Sequence, residues 1–133
     1  ESGEYKYKTE IGWGNETMSL RWNHLYSSKV FSNTTAIYSN YRFNDFQGNT
    51  NASFSFGSGI RDYILKHDVD IYATPRHHLK TGFISTFHHF TPGTSFQTDS
   101  VSNTATGITY EGVESAAYLE DEFRVTPKLG MYA

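Results

Sequence analysis

Cysteine is absent from the 133 residues. That removes disulfide staples, thiolate metal sites and a cysteine nucleophile together. Excess charge of one sign is lacking too. Eleven Lys and Arg against fourteen Asp and Glu leave a formal −3, so no nucleic-acid footprint is present. No apolar run approaches the roughly 18 residues of a membrane-spanning helix. The chain opens at Glu1 without a charged and then apolar leader, so no signal peptide is expected in it. Apolar residues reach only 37%, too few for a conventional two-faced core, yet 17% aromatics speak against disorder. One class escapes all these exclusions. A spanning β-strand needs only roughly 10 alternating residues, and its other face is free to be polar.

Alternation is what the chain has in abundance. In residues 62–73, Tyr63, Leu65, His67, Val69, Ile71 and Ala73 share one parity. Asp62, Lys66, Asp68, Asp70 and Tyr72 share the other, with Ile64 the misfit. Period two marks a strand with one apolar and one charged face, since a 3.6-residue period would scatter those charges. The residues from Ala73 to His78, with Pro75 among them, read as a polar turn. Leu79, Thr81, Phe83, Ser85 and Phe87 then alternate with Lys80, Gly82, Ile84, Thr86 and His88, completing a long hairpin.

The remainder follows the same grammar. Residues 1–14 read as loop running into strand, and from Thr17 onward Met18, Leu20 and Trp22 oppose Ser19, Arg21 and Asn23. In residues 31–43 either Thr34, Ala36 and Tyr38 or Phe31, Ile37 and Tyr41 face outward. The polar Asn33, Thr35 and Ser39 favour the first. Residues 44–59 and 91–112, rich in Asn, Ser, Thr and Gly, read as two long loops. Residues 113–125 set Ala117, Leu119, Phe123 and Val125 against Glu114, Tyr118, Glu120, Glu122 and Arg124, with Asp121 on the apolar side. A truncated strand follows from Leu129. Short turns at Ser27-Ser28-Lys29, Thr74-Pro75-Arg76 and Thr126-Pro127-Lys128 each carry a hydroxyl, a serine or proline, then a base. They recur about every fifty residues, the length of two strands and their connections. The expected fold is all-β: an antiparallel up-and-down meander of about 5–6 long strands, an incomplete segment of a large transmembrane barrel.

Three segments in order, GWGNETMSLRWNHLYSSKVFSNTTAIYSNYRF, the RDY and LKHDVDIYATPRHHLKTGF hairpin followed by HHFTPG, and AAYLEDEFRVTPKL, resemble barrel strands of TonB-dependent receptors. The likeness is greatest to the outer-membrane receptors of the Bacteroidota and extends over nearly the whole chain. The resemblance implies a roughly 22-stranded barrel around a plug domain, in the outer membrane of a Gram-negative bacterium. Such a barrel binds a scarce nutrient outside, whether siderophore, cofactor or oligosaccharide, and the TonB complex drives its uptake. The expected partners are therefore outer-membrane lipid, the plug domain and remaining strands of a parent protein, TonB through that parent, and an extracellular nutrient. Plug, TonB box and closing strand have no counterpart in residues 1–133, which therefore read as one barrel fragment; no plug or TonB-contacting residue is carried over.

Candidate residues sort by parity. Arg21, Lys66, Asp68, Asp70, Glu120, Glu122 and Arg124 are expected to face a polar lumen. There they contact a plug or substrate, or simply pair across strands at about 0.2–1 kcal/mol each. Leu20, Trp22, Leu65, Val69, Ile71, Phe83, Leu119 and Phe123 are expected to face lipid, with Trp22, Tyr38 and Tyr63 as interfacial girdle rings. Phe46, Phe54, Phe56, Phe96 and Tyr110, placed in the long loops, are the candidates for ligand contact outside the cell. His77-His78 and His88-His89 suggest a metal site, but adjacent residues on a strand point to opposite faces, and the first pair reads as turn polarity. Glu120 and Glu122 share a face but lack the shielding that a catalytic carboxylate pair needs. No catalytic residue, metal or cofactor is expected, and the chain does not read as an enzyme. Two alternatives stand beside the receptor: a soluble β-sandwich binding carbohydrate through Trp13, Trp22 and tyrosines, and a porin-type barrel outside the TonB group. Sandwich strands are shorter, with a mode of about 5–6 residues.

Overall fold

The computed structural model describes residues 7–49, 52–98, 103–126 and 129–132; within these strands the side chains of Phe96, Tyr132 and residues 103–105 lie outside the description. Six strands follow one another: β1 (Lys8–Ser27), β2 (Val30–Gly48), β3 (Ser53–Thr74), β4 (His77–Thr98), β5 (Asn103–Thr126) and the short β6 (Leu129–Tyr132). They form one sheet in sequence order, β1-β2-β3-β4-β5-β6. β5 and β6 pair antiparallel, with Phe123 opposite Met131 and a register shift between Arg124 and Thr126.

Two units make up the described chain. One takes β1 up to Thr17, with Ser39–Asp62 and His88–Gly112. The other takes Met18–Tyr38, Tyr63–Phe87 and the chain from Val113 onward.

The tight turns are closed by their hydroxyl residues. Ser27 Oγ accepts the Lys29 N–H at 3.2 Å. Thr74 Oγ1 accepts from both Arg76 N–H at 3.2 Å and His77 N–H at 3.1 Å. A hydroxyl that satisfies donors two and three residues on lets the chain reverse without leaving amides unpaired. The third such turn lies partly outside the described residues, at Pro127 and Lys128.

Strand length departs from the sequence reading. The expected long loops at 44–59 and 91–112 are largely strand: β2 continues to Gly48 and β3 starts at Ser53, while β4 continues to Thr98 and β5 starts at Asn103. Where β2 gives way to β3, Asn49 N–H donates to Ala52 O at 2.8 Å and Ala52 N–H donates to Asn49 Oδ1 at 2.9 Å. The reading of 44–59 and 91–112 as long loops is therefore corrected. His77 and His78 belong to β4 rather than to a turn, and β1 begins at Lys8, within the expected leading loop. The physical reason is shared. A ladder supplied by neighbouring strands satisfies backbone groups whatever the side chains, so context overrides the weak β-propensity of Asn, Ser and Gly.

No apolar side chain is buried among the described residues; the buried ones are Ser32, Thr35 and Asn40. Large apolar groups lie open instead, with Leu20 and Leu119 each 73% exposed and Trp22 61%. The strands of the described residues all belong to one sheet, which does not fit the two packed sheets of the sandwich alternative.

Candidate functional site

The second unit carries two chemically distinct faces, each fixed by cross-strand contacts. On the first, Tyr38 of β2 meets Tyr63 of β3 at 5.3 Å between ring centroids, and Tyr63 meets Phe87 of β4 at 6.3 Å. An open groove of about 450 Å³ beside this row is lined by Met18, Leu20, Ala36, Leu65 and Ser85 as well. Thr34 Oγ1 lies 2.8 Å from His67 Nδ1, and the His67 ring packs 5.9 Å from Phe83. Thr34 and Tyr38 therefore share the face of His67 and Tyr63, in line with the favoured facing of residues 31–43.

Two polar misfits on this apolar parity find partners. Asp121 Oδ2 lies 2.8 Å from His77 Nδ1, and the His77 ring stacks on Phe123 at 4.6 Å. His67 is met by the Thr34 hydroxyl. A buried or half-buried polar group costs little once hydrogen-bonded, which holds for His67 and for Asp121 Oδ2, while Asp121 Oδ1 is buried without a partner among the described residues. Of the expected lipid-facing residues, Leu20 and Leu65 come together at the groove. Trp22 stands apart from the Tyr38–Tyr63 row, beside His24 on β1 at 5.4 Å.

The opposite face is a charged network across β3, β4 and β5. His78 Nε2 lies 2.9 Å from Asp70 Oδ1, and its Nδ1 lies 3.4 Å from Glu122 Oε2. The Tyr72 ring stacks on His78 at 4.2 Å with only 9° between planes. Two residues along β3, Lys66 Nζ lies 3.0 Å from Asp68 Oδ2, while the Tyr118 hydroxyl of β5 donates to Asp68 Oδ1 at 2.8 Å. Tyr118 reaches across β4 because Gly82 stands between. A Cβ there would come within 2.7 Å of Asp68 Oδ1 and 2.8 Å of Tyr118 Cε1. The glycine is the slot through which the ring passes. Arg124 Nε is 3.8 Å from Glu122 Oε1. The structure thus brings Lys66, Asp68, Asp70, Glu122 and Arg124 onto one face, and among the described residues Arg21 and Glu120 make no ion pair.

In the first unit, Arg42 Nη2 donates to Glu16 Oε1 at 2.7 Å, and Asn40 Nδ2 reaches Glu16 Oε2 at 3.5 Å. His89 Nδ1 lies 3.1 Å from Glu111 Oε1, and His88 Nδ1 lies 2.8 Å from Asp62 Oδ1. Each histidine of the adjacent pairs thus goes to its own carboxylate partners. Among the described residues no group of three or more metal-ligating side chains converges.

The aromatic loop candidates are relocated. Phe46 lies in β2, Phe54 and Phe56 in β3, and Tyr110 in β5; the Phe96 side chain falls outside the described residues. Phe56 packs against Phe43 at 6.4 Å and lies over Gly93, whose missing Cβ would fall 2.6 Å from Phe56 Cε2. Phe46 and Phe54 line separate cavities, and they form no common cluster with Phe56. Sequence reasoning missed the histidine–carboxylate bridges of β4. Adjacent histidines signalled their opposite facing, but the partners lie 8 to 44 residues away.

No family model matches the chain, and no curated protein matches it. Nine chains of solved structures do. One is the ferric yersiniabactin uptake receptor FyuA from Yersinia pestis, with a TM-score of 0.63 and 11% identity over 98% of this chain and 22% of that one. This chain therefore spans about a fifth of that receptor's length. The likeness is one of fold: the six-stranded antiparallel meander has the architecture of a segment of a receptor barrel.

Proposed function

We propose that the chain is part of the wall of an outer-membrane, TonB-dependent receptor that takes up a scarce nutrient. One observation carries this reading: a single meander that buries no apolar side chain among its described residues, with an aromatic and aliphatic face opposite a charged one. In water such a face has nothing to lie against, while in lipid it meets its solvent, and closure with the remaining strands of a parent barrel pairs the edge amides as well. The face of Leu65, Val69, Ile71 and Phe83 takes the lipid, and Tyr38 and Tyr63 form part of a girdle. The face of Lys66, Asp68, Asp70 and Glu122 takes the bore, toward a plug domain of the parent protein. The wall performs no covalent chemistry.

The fold likeness to a ferric siderophore receptor makes an iron chelate one candidate cargo, beside cofactors and oligosaccharides. Kinship to Bacteroidota receptors rests on the three sequence segments alone. The parent protein should fractionate with the outer membrane and run as a heat-modifiable band in detergent gels; recovery in the soluble fraction would overturn the reading. Separately, residues 1–133 expressed alone should aggregate in buffer and disperse only in detergent. β1 and β6 are open edges, and transmembrane barrels start at about 8 strands. A monodisperse monomer in buffer would count against it.

A further inference from the structure

The first unit holds a polar hollow of about 220 Å³ to which the barrel wall assigns no task. Gly57 and Gly59 of β3 keep it open. A Cβ at Gly57 would come within 3.3 Å of Asn44 Oδ1, and one at Gly59 within 2.8 Å of Tyr41 O. Arg42 of β2, Arg61 of β3 and His89 of β4 stand round it, and among the described residues no carboxylate lines it. Glu16 holds Arg42 and Glu111 holds His89, both from outside the lining. Arg61 makes no ion pair among the described residues. Its guanidinium is therefore the surplus positive charge of the site.

We infer that this hollow binds the phosphate headgroup of an anionic membrane lipid. The inference rests on the barrel reading. Arg61 stands two residues before Tyr63 on β3, and His89 two residues after Phe87 on β4. Residues two apart on a strand share a face, and Tyr63 and Phe87 are rings of the apolar side. In the barrel reading that side meets lipid, and girdle rings sit at the level of the headgroups. The next residue of that face beyond each ring is then at the depth of the phosphates. A guanidinium suits such a group, because two parallel N–H donors match two phosphate oxygens. Size points the same way. Pockets that enclose a whole small molecule run to about 300–1,000 Å³, so a hollow of about 220 Å³ holds a headgroup whose tails lie outside it.

Native mass spectrometry of the detergent-solubilised full-length parent, titrated with dioctanoyl phosphatidate, tests this. Dioctanoyl phosphatidylcholine, with the same tails and no net charge, and inorganic phosphate are the comparisons. The phosphatidate should bind more tightly than either. R61Q should weaken its binding about fivefold, the contribution of one arginine near an anionic lipid surface. G57V, which fills the hollow without removing a charge, should weaken it as well, and both variants should keep the heat-modifiable band. K80Q, which removes a positive charge elsewhere on β4, should bind as the wild type does. Inorganic phosphate binding as tightly as phosphatidate, equal binding of the two lipids, or indifference to R61Q in a heat-modifiable barrel overturns this inference and leaves the barrel reading standing. A parent that forms no heat-modifiable barrel overturns both.

Discussion

Replacing Leu65 or Val69 by arginine in the full-length parent is expected to abolish barrel assembly, while Lys66→Ala leaves it intact. These residues are neighbours on β3, so local propensity differs little between them. What differs is the face. Leu65 lines the groove beside Tyr38 and Tyr63, whereas Lys66 pairs with Asp68 on the charged side. An arginine at the midplane of a lipid-facing strand costs about 2–4 kcal/mol. Against a typical total stability of about 5–15 kcal/mol, that is enough to halt insertion when the strand must also pair correctly. Loss of the lysine forfeits one half-exposed ion pair, worth about 0–1 kcal/mol. The heat-modifiable band on gels reports assembly directly. Equal tolerance at positions 65 and 66 would remove the basis for assigning lipid to the apolar side.

Gly82→Val is expected to destabilise the assembled protein more than any other small-to-large change on β4, with Gly82→Ala intermediate. The added Cβ meets Asp68 Oδ1 and His67 O at 2.7 Å and Tyr118 Cε1 at 2.8 Å. Side chains can swing away, but a carbonyl in a ladder cannot move without disturbing its own hydrogen bond. Overpacking of this kind costs about 1–3 kcal/mol, and displacing Tyr118 also forfeits its bond to Asp68, about 0.5–1.5 kcal/mol. Gly12→Ala and Gly112→Ala provide the comparison, since a Cβ at either position meets nothing within 4 Å. Urea unfolding of the detergent-solubilised parent measures all four variants. Tyr118→Ala should restore part of the stability lost in Gly82→Ala, because contacting residues couple. If Gly82→Ala behaves like Gly12→Ala, the slot has no structural role.

Much of this arrangement was legible in the order of residues. The alternation from Asp62 to Ala73 separates the two faces of β3. For β2 the polar Asn33, Thr35 and Ser39 only favoured one of two facings. The contacts of Thr34 with His67 and Tyr38 with Tyr63 are what put these residues on a shared face. The lone Asp121 on an apolar parity was visible as an exception, yet its explanation was not. His77 lies 44 residues away, and only the register of β4 against β5 brings the two together. Strand extent was misread for a different reason. Asn, Ser and Gly around positions 44–59 carry turn signals, but those signals are weak beside a ladder already laid down by neighbours. Parity is a local property of a chain, whereas length and pairing belong to the sheet.

The lack of buried apolar side chains among the described residues has a calorimetric consequence. Globular domains gain about 12–15 cal/mol/K per residue in heat capacity on unfolding, because oily surface passes from contact with itself into water. Here Leu20, Trp22, Leu65 and Leu119 are already uncovered in the native sheet. When a sheet of this kind melts within a micelle, those groups pass from one hydrocarbon environment to another. The thermal transition then has little curvature, and the familiar loss of stability on cooling is correspondingly faint.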